Sequence, residues 1–328
     1  MDYSDIKVVM VGDCASVGET LVQYAQDGIN YVHLKRTRSI YSKTLGIALD
    51  ILRSKGDIFH VHYGLQDHFI TKLVKRQPTV CHVHGSDLRY TINGPYGWIV
   101  KRNLRTANRV IVAVPDIVEA AISYRPDAKY VSNPVNFSLF KPTTLRNSGN
   151  ELRVLFASAL SFVKGAQHFA TQFALYQKAN PRSMLYLIRY GKDQSEIIAR
   201  LKKLEVKFKL IEPVPHTEMP RLYYNSDIVV TDFQLGYLHM TSLEAMACYR
   251  PVVQYIDSEI YKRVKVPLPP IMNVRFEDNL FQKLERLVDL STREKICKDQ
   301  QSYVKRYHDP EEISKEIAEV YREVIEDK

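Results

Sequence analysis

The chain has 328 residues, so two hydrophobic cores of about 150 residues each are expected rather than one. Its composition, 45% hydrophobic and 25% charged, is that of a soluble globular protein, and no apolar run approaches the ~20 residues of a membrane span. The net charge is +9, and most of it belongs to residues 1–148, which hold 19 Lys and Arg against 12 Asp and Glu.

Short β-branched runs alternate with amphipathic stretches along the first half of the chain. The predicted strands are IKVVMVG (6–12), YVHLK (31–35), IFHVHY (58–63), TVCHVHG (79–85) and RVIVAV (109–114). Strands separated by helical patterns predict βαβ units, in which helices cover both faces of a parallel sheet.

A second series of strands begins after the polar stretch TTLRNSGNE (143–151). Its members are RVLFASA (153–159), MLYLIRYG (184–191), FKLIEP (208–213), DIVVTDF (227–233) and PVVQYI (251–256). The sequence therefore predicts two doubly wound α/β domains, residues 1–148 and 149–308, whose strand ends line a shared cleft. Residues 309–328 predict one amphipathic helix, with Asp309 as its cap and Pro310 in its first turn.

Several classes of protein and site are excluded by what the sequence lacks. The N-terminal MDYSDIKVVMVG carries acids where a signal peptide needs bases, so a cytoplasmic protein is expected. The four cysteines stand far apart without a C-x-x-C pair, which argues against a zinc site or a disulfide framework. No zinc-finger, RNP or helix-turn-helix motif is visible, so no nucleic-acid partner is expected. No Asp-x-Asp pair occurs, so no metal cofactor is expected either.

Candidate site residues in the first domain follow the ends of its strands. Gly12 and Gly18 flank the turn after the first strand, where they either form a ligand loop or simply turn the chain. His82 and His84 lie on one side of their strand by period two, and His84 is nearer the cleft. The run HVHYG (60–64) repeats this pattern, and four histidines could bind a metal. Because neither pair has an obvious carboxylate partner, hydrogen bonding is the favoured interpretation.

In the second domain, charged residues mark a possible anion site. Lys164 and Gly165 stand at a helix start, and a cation beside a helix N-terminus suits an anion, although a solvated lysine is the alternative. Arg189 ends the next strand near the same rim. Glu244 is the lone carboxylate in the apolar run 242–247, and a buried carboxylate needs a ligand or a hydrogen-bonding loop as partner.

The order and spacing of the motifs resemble family 4 of the retaining GT-B glycosyltransferases over nearly the whole chain. The motifs are DIFHVHYGL, VCHVHGSDL, NRVIVAVPDIVE, SNPVNFSLFKP, VLFASALSFVKG, PVPHTEMPRLYYNSDIVV and SLEAMACYRPVV. The resemblance implies a GT-B fold with an acceptor-binding first domain, a nucleotide-sugar-binding second domain and a last helix that crosses back to the first. It also implies hexosyl transfer, with retention, from a nucleotide-diphosphate sugar to a hydroxyl of a glycan or lipid-linked glycan, and the lack of an Asp-x-Asp pair predicts that this transfer is metal-independent.

The resemblance assigns roles to individual residues. Glu244 matches the glutamate that binds the ribose hydroxyls of the donor, Lys164 matches a lysine that pairs with the diphosphate, and His84 matches the histidine that faces the transferred sugar. We count these three as the catalytic set. The remaining predicted contacts are Ser158, Arg189, Val214, His216 and Gly236 on the donor side and Gly12, Asp13 and Asp87 on the acceptor side.

Three motifs depart from the family pattern. Gly236 stands where a second glutamate is usual, Ser158-Ala159 replaces Gly-Arg, and Tyr249 replaces a glycine. Arg189 is either a substitute for the missing cation or a surface residue paired with an acid. These departures leave two other functions open, a non-catalytic sugar-nucleotide-binding subunit and a nucleotide-sugar epimerase of the same architecture.

The basic clusters of the first domain, KRTR (35–38), KLVKR (72–76) and KRNLR (101–105), predict either a solvated surface or a contact with an anionic partner. In YTINGPYGWIVKRNLR (90–105), Tyr96 and Trp98 precede Lys101 and Arg102. Aromatic groups beside cations predict peripheral contact with an anionic membrane at its inner face, whereas the alternative is that Trp98 belongs to the core.

Overall fold

The computed structural model describes residues 5–35, 46–149, 151–275 and 278–327. The chain divides into two compact units, residues 1–134 with 308–328, and residues 135–307. The predicted boundary near residue 148 differs from this division, because residues 135–148 pack with the second unit. There the buried guanidinium of Arg250 donates to oxygens of Thr143 and Thr144, and Arg146 lies 2.8 Å from the Asp227 carboxylate.

The described part of the first unit contains one parallel sheet with the strand order β2-β1-β3-β4-β5-β6. Its strands are β1 (Ile6–Val11), β2 (Ile29–Leu34), β3 (Ile58–His62), β4 (Thr79–Val83), β5 (Arg109–Val112) and β6 (Lys129–Tyr130). Its helices are α1 (Val17–Gln23), α2 (Ile47–Arg53), α3 (Gln66–Val74), α4 (Ser86–Arg89), α5 (Gly97–Thr106) and α6 (Val118–Tyr124). β3 and β4 are buried along their whole length, as expected of strands covered on both faces.

The described part of the second unit contains a parallel sheet with the order β12-β11-β10-β7-β8-β9. Its strands are β7 (Leu152–Phe156), β8 (Ser183–Ile188), β9 (Phe208–Ile211), β10 (Ile228–Val230), β11 (Val252–Gln254) and β12 (Met272–Asn273). Its helices are α7 (Ala166–Ala179), α8 (Gln194–Lys203), α9 (Met219–Tyr224), α10 (Met240–Ala247), α11 (Ser258–Val264), α12 (Leu280–Arg286) and α13 (Leu290–Tyr307). In its core, Phe169 packs against Phe156, Phe173 and Phe233.

The last helix, α14 (Pro310–Glu326), belongs to the first unit. It begins as the sequence predicts, because Oδ1 of Asp309 accepts hydrogen bonds from the backbone N–H of Glu311 and Glu312. The hydroxyl of Tyr321 reaches Nδ1 of the buried His60 at 2.6 Å. No helix among the described residues is both long and apolar enough to span a lipid bilayer.

The predicted α/β class, with two doubly wound parallel sheets, is confirmed. In each sheet the chain switches sides beside the first strand, between β1 and β3 in the first unit and between β7 and β10 in the second. Parallel sheets bind ligands beyond the carboxyl ends of the strands at such switch points. The functional residues are therefore expected at these two places.

Candidate donor and acceptor sites

A cluster of three polar side chains lies at the switch point of the second unit. Asp232 follows the end of β10, Lys164 closes a 3₁₀ turn after β7, and His239 precedes α10. Nζ of Lys164 lies 3.4 Å from Oδ2 of Asp232 and 3.0 Å from Nε2 of His239. All three side chains are less than a fifth exposed. The predicted anion site thus has two nitrogen groups around one buried carboxylate.

The electrostatics of this cluster keep Asp232 ionised. Burial alone would raise its pKa, but the hydrogen bond and charge of His239 and the charge of Lys164 lower the pKa to about 2. The chain then enters α7 through Gly165, whose φ is +70°. A β-carbon there would lie 2.8 Å from that of Phe233, so only glycine brings Lys164 this close to the end of β10.

Glu244 has the hydrogen-bonding partners that its buried position requires. The residue is 2% exposed on α10. Its Oε1 lies 2.7 Å from Nε2 of His216, and its Oε2 accepts a hydrogen bond of 2.8 Å from the hydroxyl of Tyr223. The side chain of His216 is 31% exposed, so Oε1 lies on the solvent side of this network. Two predicted donor contacts, Glu244 and His216, are therefore brought together.

The other predicted donor residues lie at several different places in the second unit. Ser158 is buried just beyond β7. Val214 lines a separate pocket of about 500 Å³ formed with residues of the sheet and α9, such as Tyr186 and Arg221. Arg189 is paired with the exposed Glu212 at 3.1 Å, with 55% of its own side chain exposed. Arg189 therefore forms a surface ion pair, which was the alternative to a role as a phosphate-binding cation.

The glycine at position 236 has a structural cause. Its φ is +75°, and a β-carbon would lie 2.9 Å from the β-carbon of Asp257. The glutamate usual in the resembled family would not fit here without a shift of the backbone. At position 249 the resembled family has glycine and this chain has tyrosine. Tyr249 nevertheless keeps a left-handed φ of 61°, a conformation that favours glycine.

Sequence reasoning did not single out Asp232 and His239 as site residues. A signal was present for both, because Asp232 ends a predicted strand and His239 stands just before the apolar helix. Their meeting with Lys164 depends on the pairing of β7 with β10, which are separated by two other strands in the sequence.

A pocket of about 510 Å³ lies at the switch point of the first unit. Its lining includes Gly12, Asp13, Ser16, Glu19, Lys35, His62, Tyr63 and Asp67. Two predicted acceptor residues, Gly12 and Asp13, are among them. The carboxylate of Asp13 accepts hydrogen bonds from the backbone N–H of Gly18 at 2.8 Å and of Glu19 at 3.1 Å, which fixes it at the start of α1.

The third predicted acceptor residue, Asp87, faces the backbone instead. It is fully buried, and its carboxylate accepts hydrogen bonds from the N–H groups of Gly64, Gly85 and Leu88 at 3.0–3.2 Å. Burial raises its pKa, and these bonds oppose the rise. Asp87 therefore holds the turn after β4 and does not line the pocket.

Four buried histidines stand side by side on β3 and β4 and just beyond. Nε2 of His60 lies 3.0 Å from Nδ1 of His82, and Nδ1 of His62 lies 2.8 Å from Nε2 of His84. Burial lowers the pKa of each, that of His62 to about 3. Nitrogens of His60, His62 and His82 lie within 4.8 Å of one another. The two ring-to-ring distances are those of hydrogen bonds, the role that the sequence favours for these histidines.

The structure describes only part of the basic surface formed by the three clusters of the first unit. Of the three clusters, residues 36–38 lie outside the described residues. Trp98 on α5 is 57% exposed and packs its ring edge-to-face with Phe69, so it is not a core residue. Tyr96 is 66% exposed beside it.

Comparisons with known proteins agree with this architecture. Residues 151–261 match the family model described as Glycosyl transferases group 1. No curated protein matches the sequence. Among solved structures, HepE of Anabaena, crystallised with UDP and glucose, is similar at TM-score 0.73 and 15% identity, covering 97% of this chain and 100% of its own. A glycosyltransferase of Rickettsia africae is similar at TM-score 0.68 and 15% identity, covering 99% and 100%.

A third similar structure is a UDP-forming trehalose-phosphate synthase of Burkholderia xenovorans, at TM-score 0.68 and 11% identity, covering 98% and 99% of the two chains. These likenesses confirm the GT-B fold. The family match confirms a likeness to group 1 glycosyl transferases, and with it the predicted enzyme class, glycosyltransferase, over the stretch that contains both Lys164 and Glu244.

Proposed function

We propose that the protein is a retaining hexosyltransferase that moves a sugar from a nucleotide-diphosphate sugar to a hydroxyl acceptor without a metal ion. The observation that carries the proposal is the buried cluster of Lys164, Asp232 and His239 at the switch point of a glycosyl transferases group 1 domain. The donor would bind the second unit and the acceptor the first. UDP, present in the similar Anabaena structure, is the first nucleotide to test.

Each half of the donor has a counterpart in the second unit. The Lys164 ammonium and the backbone N–H groups at the start of α7 would bind the diphosphate, because a helix N-terminus and a cation both attract phosphate. The Glu244 carboxylate would accept hydrogen bonds from the ribose hydroxyls, next to the half-exposed His216. These protein groups would offset the diphosphate charge, which is the support for proposing that no metal is needed.

In the transfer step, the bond between the anomeric carbon and the diphosphate oxygen breaks while the acceptor oxygen bonds to the same carbon. Lys164 and the α7 amides would stabilise the negative charge that develops on the leaving diphosphate. That diphosphate would then take the proton of the acceptor hydroxyl on the same face of the sugar, which gives retention. The role of His84 toward the transferred sugar, implied by resemblance, stays a prediction.

The test is transfer by the purified protein from a panel of nucleotide sugars, followed by NMR of the anomeric proton in the presence of EDTA. The proposal predicts release of nucleoside diphosphate and a product with the donor's anomeric configuration. An inverted product would refute retention. Activity lost in EDTA and restored by Mg²⁺ or Mn²⁺ would refute metal independence.

We also propose a cytoplasmic location with peripheral contact to an anionic membrane, where a lipid-linked acceptor would be found. Support comes from α5, which carries the exposed Trp98 together with Lys101 and Arg105. An aromatic ring beside cations suits the boundary between lipid headgroups and acyl chains.

One observation favours a second candidate, a sugar-nucleotide-binding subunit without catalysis. The usual arginine is replaced by Ala159, and Arg189 is occupied by Glu212 on the surface. A protein of this kind would bind nucleotide sugar but release no sugar from it. Donor hydrolysis without acceptor separates the two candidates.

A further inference from the structure

We infer that His239 takes up a proton when the diphosphate of a nucleotide binds the second unit, and that the resulting imidazolium is a second cation for the diphosphate beside Lys164. This inference rests on the proposed function, since it adds a residue to the same donor site. Ala159 stands where the resembled family has an arginine, and Arg189 is paired with Glu212. His239 is a nitrogen base that lies directly beside Lys164.

Contacts with Lys164 keep the His239 ring neutral while no donor is bound. Nζ of Lys164 lies 3.0 Å from Nε2 and 3.2 Å from Nδ1 of the ring. A neutral imidazole has one nitrogen without a proton, and an ammonium can donate to that nitrogen in either tautomer. A protonated ring carries N–H groups on both nitrogens, so it would set a donor against a donor and one positive charge against another.

The position of His239 in the chain acts in the same direction. The residue is the N-cap of α10, and its carbonyl oxygen accepts hydrogen bonds from the backbone N–H groups of Ser242 and Leu243. Its side chain is 12% exposed. A helix N-terminus carries partial positive charge and disfavours a cation, and burial disfavours a cation as well. Both effects hold the ring neutral until negative charge binds nearby.

A bound diphosphate reverses this balance. Its oxygens compete with the ring for the protons of the Lys164 ammonium, and its negative charge favours the protonated form of a nearby histidine. Oδ2 of Asp232 lies 3.4 Å from Nε2 of His239 and can accept a hydrogen bond from that nitrogen once it is protonated. Tyr237 also faces the ring, with the two ring centres 4.4 Å apart. Binding of the diphosphate and protonation of His239 therefore favour each other.

Calorimetry on the full chain counts the protons that are taken up on binding. UDP is titrated into the protein at pH 7.5 with EDTA, in buffers of different ionisation enthalpy, and the dependence of the heat on that enthalpy gives the number of protons. A phosphate monoester has a second pKa of about 6, so UDP is ionised at this pH and cationic partners keep it so.

Wild type should take up at least about half a proton for each UDP bound, and His239→Gln less than about a quarter. His33→Gln serves as the control, because it makes the same substitution at a partly exposed histidine of the first unit. We expect it to take up as many protons as wild type.

The pH dependence of affinity is the second measurement. Because binding takes up a proton, wild type should bind UDP less tightly as the pH rises from 7 to 9, by up to about tenfold per pH unit. His239→Gln should bind UDP more weakly than wild type at pH 7, lack this dependence, and approach wild type at pH 9. Circular dichroism shows whether the variant is folded, and His239→Asn replaces it if it is not.

The inference is overturned if wild type binds UDP without taking up a proton. It is also overturned if folded His239→Gln takes up as many protons as wild type. If wild type binds GDP or another nucleoside diphosphate in place of UDP, that nucleotide is the probe. A wild type that binds no nucleoside diphosphate and no nucleotide sugar would instead refute the proposed function.

Discussion

Glu244 shows how a buried carboxylate can serve both the fold and a ligand. One oxygen accepts a hydrogen bond from the hydroxyl of the fully buried Tyr223, and the other faces the partly exposed His216. The first contact is structural, because it satisfies both partners inside the unit. The second lies where a ribose could join it. Substitution should therefore affect stability and nucleotide affinity together, and the two must be measured separately.

Glu244→Ala should weaken nucleotide-sugar binding by about 1.5–3 kcal/mol for each charge-assisted hydrogen bond that it removes. Isothermal titration calorimetry measures the affinity and urea unfolding the stability. Tyr223→Phe serves as the control, because it removes only the structural bond to Glu244. We expect it to lower stability and leave affinity nearly unchanged. If a folded Glu244→Ala variant binds the nucleotide sugar with wild-type affinity, the assignment of Glu244 to the ribose hydroxyls is wrong.

Asp232 should stabilise the fold in a pH-dependent manner. Its pKa is about 2 in the folded state, against about 3.9 for an unfolded chain. Its contribution is therefore fully present above about pH 5 and is lost as the pH falls toward 2, amounting to about 2–3 kcal/mol at neutral pH. Asp232→Asn should lower the free energy of unfolding at pH 7 by about this amount.

Urea unfolding between pH 2 and 7 measures this effect, with Asp299→Asn as the control at an exposed aspartate. If Asp232→Asn and Asp299→Asn lose equal stability, the ionic cluster does not stabilise the unit.

Residue identity alone makes Lys164 and Glu244 candidate site residues, but it does not indicate their neighbours. His239 lies 75 positions from Lys164 in the chain, and their contact exists only because β10 pairs with β7. Arg189 illustrates the converse. The sequence places it at a strand end, but its preference for Glu212 depends on the parallel neighbour β9, which ends beside it.

At the level of elements, α5 carries the predicted membrane contact. The cationic groups of Lys101 and Arg105 lie within 6.0 Å of the ring centre of Tyr124, so both cations lie on the same side of the helix. We expect binding to anionic liposomes that falls with added salt, because each basic residue near the surface contributes about 1 kcal/mol and is screened.

Co-sedimentation with liposomes measures this binding. Trp98→Ala should reduce it, whereas Leu175→Ala, which truncates a similarly exposed side chain in the second unit, should not. Equal pelleting with neutral and anionic vesicles, or none with either, would contradict the membrane proposal.

The long strands could be predicted from sequence, while the shortest could not. Runs such as VVMV in β1 are continuous and apolar because both faces of that sheet are covered. The strands β6 and β12 have two residues each and lie at sheet edges, where the partly exposed Lys129 and the exposed Asn273 give no apolar pattern. The unit boundary was misplaced for a related reason. The contacts of Arg250 with residues 143 and 144 are not visible in local composition.

For the whole molecule, buried histidines predict sensitivity to mild acid. Burial lowers the pKa of His60, His62, His68, His82, His84 and His308. Each is neutral when folded and binds a proton when unfolded below pH 6.5, so stability is lost as the pH falls. The expected loss is about 1.4 kcal/mol per pH unit for each histidine.

Urea unfolding at pH 7, 6 and 5 checks this expectation. His68→Gln should make the dependence shallower by one proton, because His68 has a pKa of about 4 when folded. A free energy of unfolding that is constant over this range would contradict neutral burial of the six rings.

The central claim is that Lys164 binds the diphosphate of a nucleotide and Glu244 its ribose. Calorimetric titration of UDP and UMP into wild type, Lys164→Ala and Glu244→Ala, all with EDTA present, tests it most directly. We predict that wild type binds UDP about tenfold more tightly than UMP, because a tenfold change is about 1.4 kcal/mol, the size of one charged contact. Lys164→Ala should lose this preference. Glu244→Ala should weaken the binding of both nucleotides equally. An unchanged preference for UDP in Lys164→Ala would contradict the account.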